Sequence, residues 1–432
     1  MRKITTRAVS VLLIAALVIV GLTVYVLRYI DHGRDWALYF SRANSGSTGE
    51  LIDRNGMTLA SFNATESLFA GDAEARTANY HVTGDFWGRS GTGILSAYWD
   101  DMQGFSLLTG TTQTESSILH LSVDTELNKA AYRALGADRK GAVLLCNYKT
   151  GELLCMVSGP SVDPADADAI PGDGAYINRC LSSTFTPGSV FKLITAAAAI
   201  ENLPNIDNLS FYCEKEYSIA GVDIICSGTH YTQTFEQALS NSCNVAFAQI
   251  AVMLGQDTMV KYVTDYGFLS THDLDGITTA AGTYPTEFVG DPELGWSGIG
   301  QSTDMINPYA MLRFVSAVGN GGVLVEPHIL LDNGEPQVSR YMPAETAQRL
   351  GQMMNYNVIS HYGGEERFPG LKLCAKTGTA ELGDGTSHAW FAGFLNDDSH
   401  PYALVVMVER GGGGLTVAGE LANTLLQEAI RR

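Results

Sequence analysis

A long apolar run lies near the N-terminus of the chain. Residues 8–27 read AVSVLLIAALVIVGLTVYVL and contain no charged side chain. A helix of about 20 apolar residues crosses the hydrocarbon core of a bilayer. The apolar region of a cleaved signal peptide is shorter and ends in a small-residue cleavage site, which this run lacks. We therefore predict an uncleaved transmembrane anchor over residues 8–28 rather than a signal peptide.

Basic residues before this run predict its orientation. Arg2, Lys3 and Arg7 precede the run. Arg28 and Arg34 follow it, but Asp31 and Asp35 offset their charge. Positively charged residues next to a membrane span concentrate on the cytoplasmic side. The sequence therefore predicts a cytoplasmic tail at residues 1–7 and a single-pass protein of the cell membrane, with everything after the anchor outside the cell.

The pattern of apolar and polar positions divides the rest of the chain in two. Residues 29–117 are rich in Gly, Ser and Thr, with short alternating stretches and a hairpin-like segment, GELIDRNGMTLASF, around Asn55-Gly56. Residues 118–432 mix strand-like apolar runs with amphipathic helices. We predict a small, extended, β-rich domain over residues 29–117 with no long helix, and an α/β (α+β) domain over residues 118–432.

The first chemical motif is TPGSVFKL. A turn at Pro187-Gly188 precedes Ser189, which opens the helix-favouring run FKLITAAAAI. Residues i and i+3 share a helix face, so Lys192 should lie one turn from Ser189, and the apolar body of the helix should bury its amine. Burial lowers the pKa of a lysine and allows it to accept a proton from a serine hydroxyl. By itself, Ser-x-x-Lys is common and weak evidence.

Two further short motifs follow in the chain. Ser242-Cys243-Asn244 interrupts a helical region, which predicts a hydroxyl and an amide at a turn between helices. Lys376-Thr377-Gly378-Thr379 lies on a predicted strand, where a glycine allows close approach of a ligand or another backbone. Together, Ser-x-x-Lys, Ser-x-Asn and Lys-Thr-Gly in this order form the signature of penicillin-binding proteins and serine β-lactamases.

On these residues, the chain resembles a class B penicillin-binding protein, a membrane-anchored peptidoglycan transpeptidase. The resemblance extends beyond the motifs, to LSVDTELNKAAYRAL, GAVLLCNYKTGELLCMVSGPSVDP, GIGQ and HAWFAGF. TGELIDRNGMTLA is similar to the family's hairpin at the start of a pedestal domain, although Thr48 stands where an arginine is usual. The resemblance implies a pedestal over residues 29–117, then a transpeptidase domain over residues 118–432 with a mostly antiparallel sheet flanked by helices.

The resemblance also implies roles for the motif residues. Ser189 would be the acylated nucleophile and Lys192 its proton acceptor. Ser242 would relay protons to the leaving group, and Asn244 would hold the substrate amide. The terminal carboxylate would be bound by the strand motif, namely Lys376, Thr377, Gly378 and Thr379. Backbone N–H groups of Ser189 and Thr379 would form the oxyanion hole.

The implied reaction cross-links peptidoglycan stem peptides, lipid-linked or in nascent glycan. Ser189 would attack a D-Ala-D-Ala bond, release D-alanine, and pass the acyl group to the amine of a neighbouring stem. This chemistry requires no metal, and β-lactam antibiotics would acylate the same serine. The family resemblance further implies a partner, a membrane glycan polymerase of the SEDS type.

The chain contains seven cysteines, and an exported protein with cysteines raises the possibility of disulfides. Four residues follow the pattern C-x12-C-x3-H-x12-C, and three thiolates with one imidazole suit tetrahedral zinc. The chain also resembles a subset of class B relatives that carry zinc beside the active site. A structural zinc is therefore one interpretation, and a Cys213–Cys226 disulfide with the other two residues buried is the alternative. The four residues are Cys213, Cys226, His230 and Cys243.

Charge and motif content limit the alternatives. The formal net charge of −19 repels nucleic-acid phosphates, so no nucleic-acid partner is expected. A D,D-carboxypeptidase or β-lactamase would use the same motifs with water as the acyl acceptor, but a secreted β-lactamase would not need the anchor and the pedestal-like segment. A catalytically inactive morphogenetic scaffold is a further alternative, although all three motifs are intact.

Overall fold

A computed structural model describes residues 2–44, 49–62, 67–99, 102, 105–106, 110–111, 117–166, 168 and 170–432. Thr48, at the position where an arginine is usual, lies outside the described residues. The chain divides into two compact units. One comprises residues 1–50, 61–68 and 98–118, and the other comprises residues 51–60, 69–97 and 119–432. All three motifs belong to the second unit.

The first helix, α1 (Arg2–Asn44), contains the predicted anchor. Its segment Arg7–Tyr29 has a mean hydropathy of 2.8 and no part of it is buried, which is consistent with one membrane span. The expectation that residues 29–117 contain no long helix is wrong, because α1 continues to Asn44. Residues 29–44 contain no proline and one glycine, so nothing in their sequence stops the helix.

Short elements follow α1. The strands are β1 (Gly49–Ile52), β2 (Thr58–Phe62), β3 (Ser67–Phe69), β4 (Phe105–Ser106), β5 (Gly110–Thr111) and β6 (Ser117–His120). The helices are α2 (Ala73–Thr83) and α3 (Ile94–Ala97). The hairpin turn predicted at Asn55-Gly56 is present: Asp53 Oδ1 accepts the N–H groups of Asn55 at 2.9 Å and Met57 at 2.8 Å. Helix α2 was not predicted, although the Asp72 carboxylate caps it by accepting the N–H of Ala75 at 2.8 Å.

Eleven strands follow in the remainder of the described chain. They are β7 (Gly141–Asn147), β8 (Leu153–Gly159), β9 (Ser210–Ile219), β10 (Val222–Thr234), β11 (Asp273–Leu274), β12 (Ile277–Thr278), β13 (Val323–Val325), β14 (Val338–Arg340), β15 (Leu373–Glu381), β16 (Ser387–Leu395) and β17 (Tyr402–Val408).

The helices of this part of the chain are α4 (Thr125–Leu135), α5 (Lys192–Asn202), α6 (Phe235–Ser240), α7 (Asn244–Leu254), α8 (Gln256–Asp265), α9 (Asp291–Ser297), α10 (Pro308–Gly319), α11 (Ala344–His361), α12 (Gly364–Arg367) and α13 (Glu420–Ala429). Short 3-10 turns cover Gly188–Val190 and Ile206–Asn208, and a π-helical turn covers Gly414–Gly419.

A five-stranded antiparallel sheet forms the centre of this unit, in the order β15-β16-β17-β7-β8. Helices α4 and α13 pack on one side, where Leu127, Leu135, Leu421 and Leu425 join the sheet's apolar core. Helix α10 packs against β16, β17 and β7. Because helices cover the sheet, strands β7, β8 and β17 are buried along nearly their whole length and are mainly apolar. The predicted α+β fold with a mostly antiparallel sheet is confirmed.

Candidate active site

Ser189 lies in a tight turn between the sheet and α5. The N–H of Gly188 donates to the carbonyl of Gly300 at 2.9 Å, and Gly188 has a φ of 54°, which favours glycine. A side chain at Gly188 would approach Ala380 Cα of β15 to 2.9 Å. The expectation that Ser189 opens the α-helix is wrong, since Ser189 lies in the 3-10 turn and α5 begins at Lys192. The close packing of Gly188 against β15 favours this tighter turn.

The amine of Lys192 is fully buried and lies among the polar atoms of two motifs. Its Nζ is 3.1 Å from Ser189 Oγ, 2.8 Å from Asn244 Oδ1, 2.6 Å from the Ser242 carbonyl and 3.2 Å from Ser242 Oγ. Burial, together with the nearby charge of Lys376, lowers the pKa of Lys192 to about 7. A lysine that is partly neutral near pH 7 can accept the proton of the Ser189 hydroxyl.

The Ser-x-Asn motif forms the predicted turn between two helices, because α6 ends at Ser240 and α7 begins at Asn244. Ser242 adopts a φ of 53°, a left-handed conformation that is uncommon for a residue with a side chain. The amide of Asn244 donates to the carbonyl of Ile225 at 2.9 Å, while its oxygen accepts from Lys192. The turn therefore holds both polar side chains toward the lysine.

Lys376 approaches the same serine from β15. Its fully buried Nζ donates to Ser242 Oγ at 3.0 Å and to the Thr377 carbonyl at 2.9 Å. Burial lowers the pKa of Lys376 to about 7. The Ser242 hydroxyl is thus within hydrogen-bonding distance of two lysine amines, which suits a group that passes protons.

The glycine of the strand motif allows β15 to pack directly against the turn Gly188–Val190, which we call the nucleophile turn because it holds the candidate nucleophile Ser189. A side chain at Gly378 would lie 2.9 Å from the Pro187 carbonyl and 3.2 Å from Trp390 Cβ. Thr377 is partly exposed and Thr379 is exposed, and Thr379 Oγ1 accepts the N–H of Gly414 at 3.1 Å. Both threonines are therefore at least partly accessible at the edge of the sheet.

Two residues that the sequence analysis missed hold the strand motif in place. The Tyr362 hydroxyl accepts the N–H of Thr377 at 3.0 Å and lies 3.0 Å from Thr377 Oγ1. The buried amide of Asn357 donates to that hydroxyl at 3.1 Å and to the Ala375 carbonyl at 3.0 Å. The sequence places Asn357 among apolar residues of a long helix, which indicates a buried amide with a specific partner. The sequence does not show which group that partner is.

The four residues of the cysteine and histidine pattern lie together. Their ligand atoms are all within 4.8 Å of one another, with Cys226 Sγ 3.9 Å from Cys243 Sγ and 3.6 Å from His230 Nδ1. Tetrahedral zinc with ordinary Zn–S and Zn–N bonds places two sulfurs about 3.8 Å apart and a sulfur and a nitrogen about 3.6 Å apart. All seven cysteines, each within the described residues, have free thiols. The donor set and its spacing therefore fit zinc.

This cluster adjoins the Ser-x-Asn turn. Cys243 lies between Ser242 and Asn244 in the chain, and its sulfur caps α7 by accepting the N–H of Ala246 at 3.4 Å. Cys226 Sγ accepts the N–H of Asn244 at 3.3 Å. Two sulfur atoms of the cluster therefore accept hydrogen bonds from the backbone that follows Ser242.

A family model described as the penicillin binding protein transpeptidase domain matches residues 141–427, more than half of the chain. The chain belongs to the penicillin-binding protein transpeptidase family. The resemblance to penicillin-binding proteins predicted from the motifs is thereby confirmed.

Known members of the family are similar in sequence to this chain over about two thirds of its length or more. Stage V sporulation protein D of Bacillus subtilis is 30% identical over 344 residues, which are 72% of this chain and 53% of that protein. Peptidoglycan D,D-transpeptidase PbpA of Mycobacterium tuberculosis is 28% identical over 320 residues, which are 65% of this chain and 64% of that protein. The chain therefore spans between half and two thirds of the length of these relatives.

Solved structures share the fold. Penicillin-binding protein A from M. tuberculosis, solved as a ceftriaxone acyl-enzyme complex, has a TM-score of 0.78 and 21% identity, covering 91% of this chain and 99% of that one. The D,D-transpeptidase domain of a peptidoglycan glycosyltransferase from Eggerthella lenta has a TM-score of 0.74 and 24% identity, covering 90% of this chain and 99% of that one.

Proposed function

We propose that this protein is a peptidoglycan D,D-transpeptidase that works through a Ser189 acyl-enzyme. The observation that carries the proposal is the position of Lys192 Nζ, 3.1 Å from Ser189 Oγ and within hydrogen-bonding distance of Ser242 and Asn244. The family match and the relatives named as D,D-transpeptidases support the same function.

In the first step, neutral Lys192 accepts the proton of the Ser189 hydroxyl, and the oxygen attacks the carbonyl carbon of the D-Ala-D-Ala bond. The carboxylate of the terminal D-alanine lies on the strand motif, against Thr377 and Thr379. As the C–N bond breaks, the leaving amine takes a proton through Ser242 Oγ, which lies between the two lysine amines. D-alanine departs and the acyl group remains on Ser189.

In the second step, the amine of a neighbouring stem peptide attacks the ester carbonyl. The amine loses a proton to the same relay, the C–O bond to Ser189 breaks, and the serine oxygen recovers its proton. A peptide cross-link forms and the enzyme returns to its starting state. Water in place of the amine would give a carboxypeptidase, the alternative with the same first step.

Labelled penicillin tests this proposal. We expect one covalent label per chain, located on Ser189 by mass spectrometry, and no label on Ser189→Ala, with circular dichroism showing that the variant is folded. A label that persists in Ser189→Ala would overturn the assignment of the nucleophile. A label that is lost within seconds would favour a β-lactamase, and free D-alanine without cross-linked dimers would favour a carboxypeptidase.

We also propose that Cys213, Cys226, His230 and Cys243 bind a structural zinc ion. The mutual distances of their ligand atoms support this. When bound, the metal would fix the chain around Cys243 and so hold the Ser242 and Asn244 side chains in place. No step of the reaction requires it.

Metal analysis of the purified full-length protein tests the zinc proposal. We expect one zinc per chain, lost in Cys243→Ser and retained in Cys374→Ser, a control at a buried cysteine outside the cluster. Chelation should lower the melting temperature of the wild type and leave that of Cys243→Ser unchanged. A metal-free protein with a Cys213–Cys226 disulfide would overturn the proposal.

We further propose that the catalytic unit lies outside the cytoplasm, anchored by α1 and associated with a membrane glycan polymerase of the SEDS type. The apolar segment Arg7–Tyr29 and the extracellular location of peptidoglycan support the location, whereas the partner is implied by the resemblance to class B penicillin-binding proteins. A membrane-impermeant protease added to intact spheroplasts should digest the C-terminal region and spare an N-terminal tag. Crosslinking from α1 should recover the polymerase, and its absence from the crosslinked products would contradict the partner assignment.

A further inference from the structure

A buried polar cluster contacts the segment that holds the nucleophile turn. It consists of Tyr284, Ser297 and Asp304. Ser297 and Asp304 are 0% exposed and Tyr284 is 7% exposed. The Ser297 hydroxyl donates to Asp304 Oδ1 at 3.1 Å. The reaction steps above use none of these side chains.

The carboxyl group of Asp304 lies in surroundings that do not support a negative charge. Among the described residues, neither Asp304 Oδ2 nor the Tyr284 hydroxyl has a hydrogen-bonding partner. Burial raises the pKa of Asp304 well above its usual range and outweighs the hydrogen bonds from Ser297 and the Ser302 backbone, which lower it. The described chain places no lysine or arginine in contact with this carboxyl group. Burial without a cationic partner favours the protonated form of the carboxyl group, which can both donate and accept a hydrogen bond.

Hydrogen bonds connect this cluster to both the nucleophile and the base. The carbonyl of Ser297 accepts the N–H of Gly300 at 3.0 Å, and the carbonyl of Gly300 accepts the N–H of Gly188, next to Ser189, at 2.9 Å. The carbonyl of Gly298 accepts the hydroxyl of Thr195 at 2.7 Å. Because Thr195 lies on α5, the turn of residues 297–300 contacts the helix that carries the base as well as the nucleophile turn.

An aromatic contact connects the cluster to the same segment. The Tyr284 ring stacks on Phe191, with ring centroids 5.5 Å apart and planes 14° apart. Phe191 lies between Ser189 and Lys192 in the chain. The cluster therefore supports the catalytic segment both through the turn of residues 297–300 and through a side-chain stack.

We propose that Asp304 is a positioning residue for acylation, whose carboxyl group accepts the Ser297 hydroxyl and so holds the turn that supports Ser189 and Lys192. This inference rests on the proposed function. It assigns to Asp304 a role that depends on hydrogen bonding rather than on charge. Asparagine, which is neutral and has nearly the same shape, should therefore replace it, whereas leucine should not.

Acylation kinetics of the full-length protein with labelled penicillin test this inference. Saturation kinetics separate the affinity of the initial complex from the rate of acylation. We expect Asp304→Asn to acylate within about threefold of the wild-type rate. Asp304→Leu should acylate about tenfold more slowly at similar initial affinity, since one buried hydrogen bond is lost. Equal rates in the wild type and Asp304→Leu, or equal losses in the two variants, would overturn the inference.

A second variant covers the case in which Asp304→Leu does not fold. Ser297→Ala removes the other side of the same hydrogen bond and should also slow acylation. The single variant Asp304→Asn keeps an acceptor for the Ser297 hydroxyl, so it should acylate faster than Ser297→Ala. An Asp304→Asn variant that is as slow as Ser297→Ala would contradict the inference. A wild type that is never acylated would overturn the proposed function together with this inference, whereas an acylated wild type with a fully active Ser297→Ala would overturn the inference alone.

Discussion

Two buried lysines lie on either side of one serine hydroxyl. Lys192 and Lys376 both direct Nζ toward Ser242 Oγ, at 3.2 and 3.0 Å. The causes of their pKa shifts include no aspartate or glutamate, and burial is the largest cause for both. A lysine without a carboxylate partner in a buried site loses its proton more easily than one in water. In the proposed function this property suits Lys192 to act as the base, and it sets the pH at which the site should work.

The rate of acylation should rise as the pH increases through 7. The pKa of Lys192 is about 7, so about a tenth of the lysine is neutral at pH 6 and about nine tenths at pH 8. Only the neutral form can accept the serine proton, so we expect the rate of penicillin acylation to increase several-fold between these pH values. Lys192→Arg, which stays charged, should not be acylated at either pH. A rate that is constant from pH 6 to 8 would contradict this role of Lys192.

The turns and strands of the site are held by elements distant in sequence. Asn244 is fixed through Ile225 and Cys226 of hairpin strand β10, and the strand motif on β15 is fixed through Tyr362 at the end of α11. The nucleophile turn packs against β15 at Gly378. Changes to these supporting contacts should therefore affect acylation even where the changed residue does not touch the substrate.

Removing the Tyr362 hydroxyl should weaken both folding and acylation. In Tyr362→Phe, the N–H of Thr377 loses its acceptor and Thr377 Oγ1 loses a partner. An unpaired buried donor costs about 1–3 kcal/mol of unfolding free energy, which urea titration measures. Tyr356→Phe, which removes a phenolic hydroxyl from α11, is the matched control and should be close to wild type. Equal stability of the two variants would show that the Tyr362 hydroxyl does not support β15.

A methyl group at Gly378 should separate β15 from the nucleophile turn. In Gly378→Ala, the new Cβ would lie 2.9 Å from the Pro187 carbonyl, which is backbone and cannot rotate away. Overpacking of this kind costs about 1–3 kcal/mol, and the displaced turn should slow acylation. The control is Gly91→Ala, whose Cβ would meet no atom within 4 Å. Acylation of Gly378→Ala at the wild-type rate would mean that the site tolerates a wider gap.

In the proposed arrangement, α1 anchors the whole protein in the membrane. A single arginine at the centre of a membrane span raises the free energy of insertion by about 2.5–3.5 kcal/mol, so two should abolish stable insertion. We expect the full-length variant Leu17→Arg/Val18→Arg to be extracted from membranes by alkaline carbonate, whereas Leu17→Ile/Val18→Ile remains embedded. Retention of the arginine variant would indicate that other parts of the chain hold it at the membrane.

Features that depend on neighbouring residues were predictable from the sequence. The anchor, the three motifs, the hairpin at Asn55-Gly56 and the strands of the antiparallel sheet all follow from local spacing and apolar periodicity. The end of α1 and the start of α5 were predicted incorrectly. The start of a helix depends on the contacts made by the residues before it. Before α5, Gly188 packs against Ala380 of β15, nearly two hundred residues away in the chain.

The sequence by itself determined which chemical groups this protein carries and in what order. Only the tertiary structure determined their surroundings: Ser242 and Lys376 are 134 residues apart in the chain, yet their side chains form a hydrogen bond. The lowered pKa values of the two lysines and the raised pKa of Asp304 arise chiefly from burial. Burial is a property of atoms brought together from distant parts of the chain, so local sequence patterns cannot specify it.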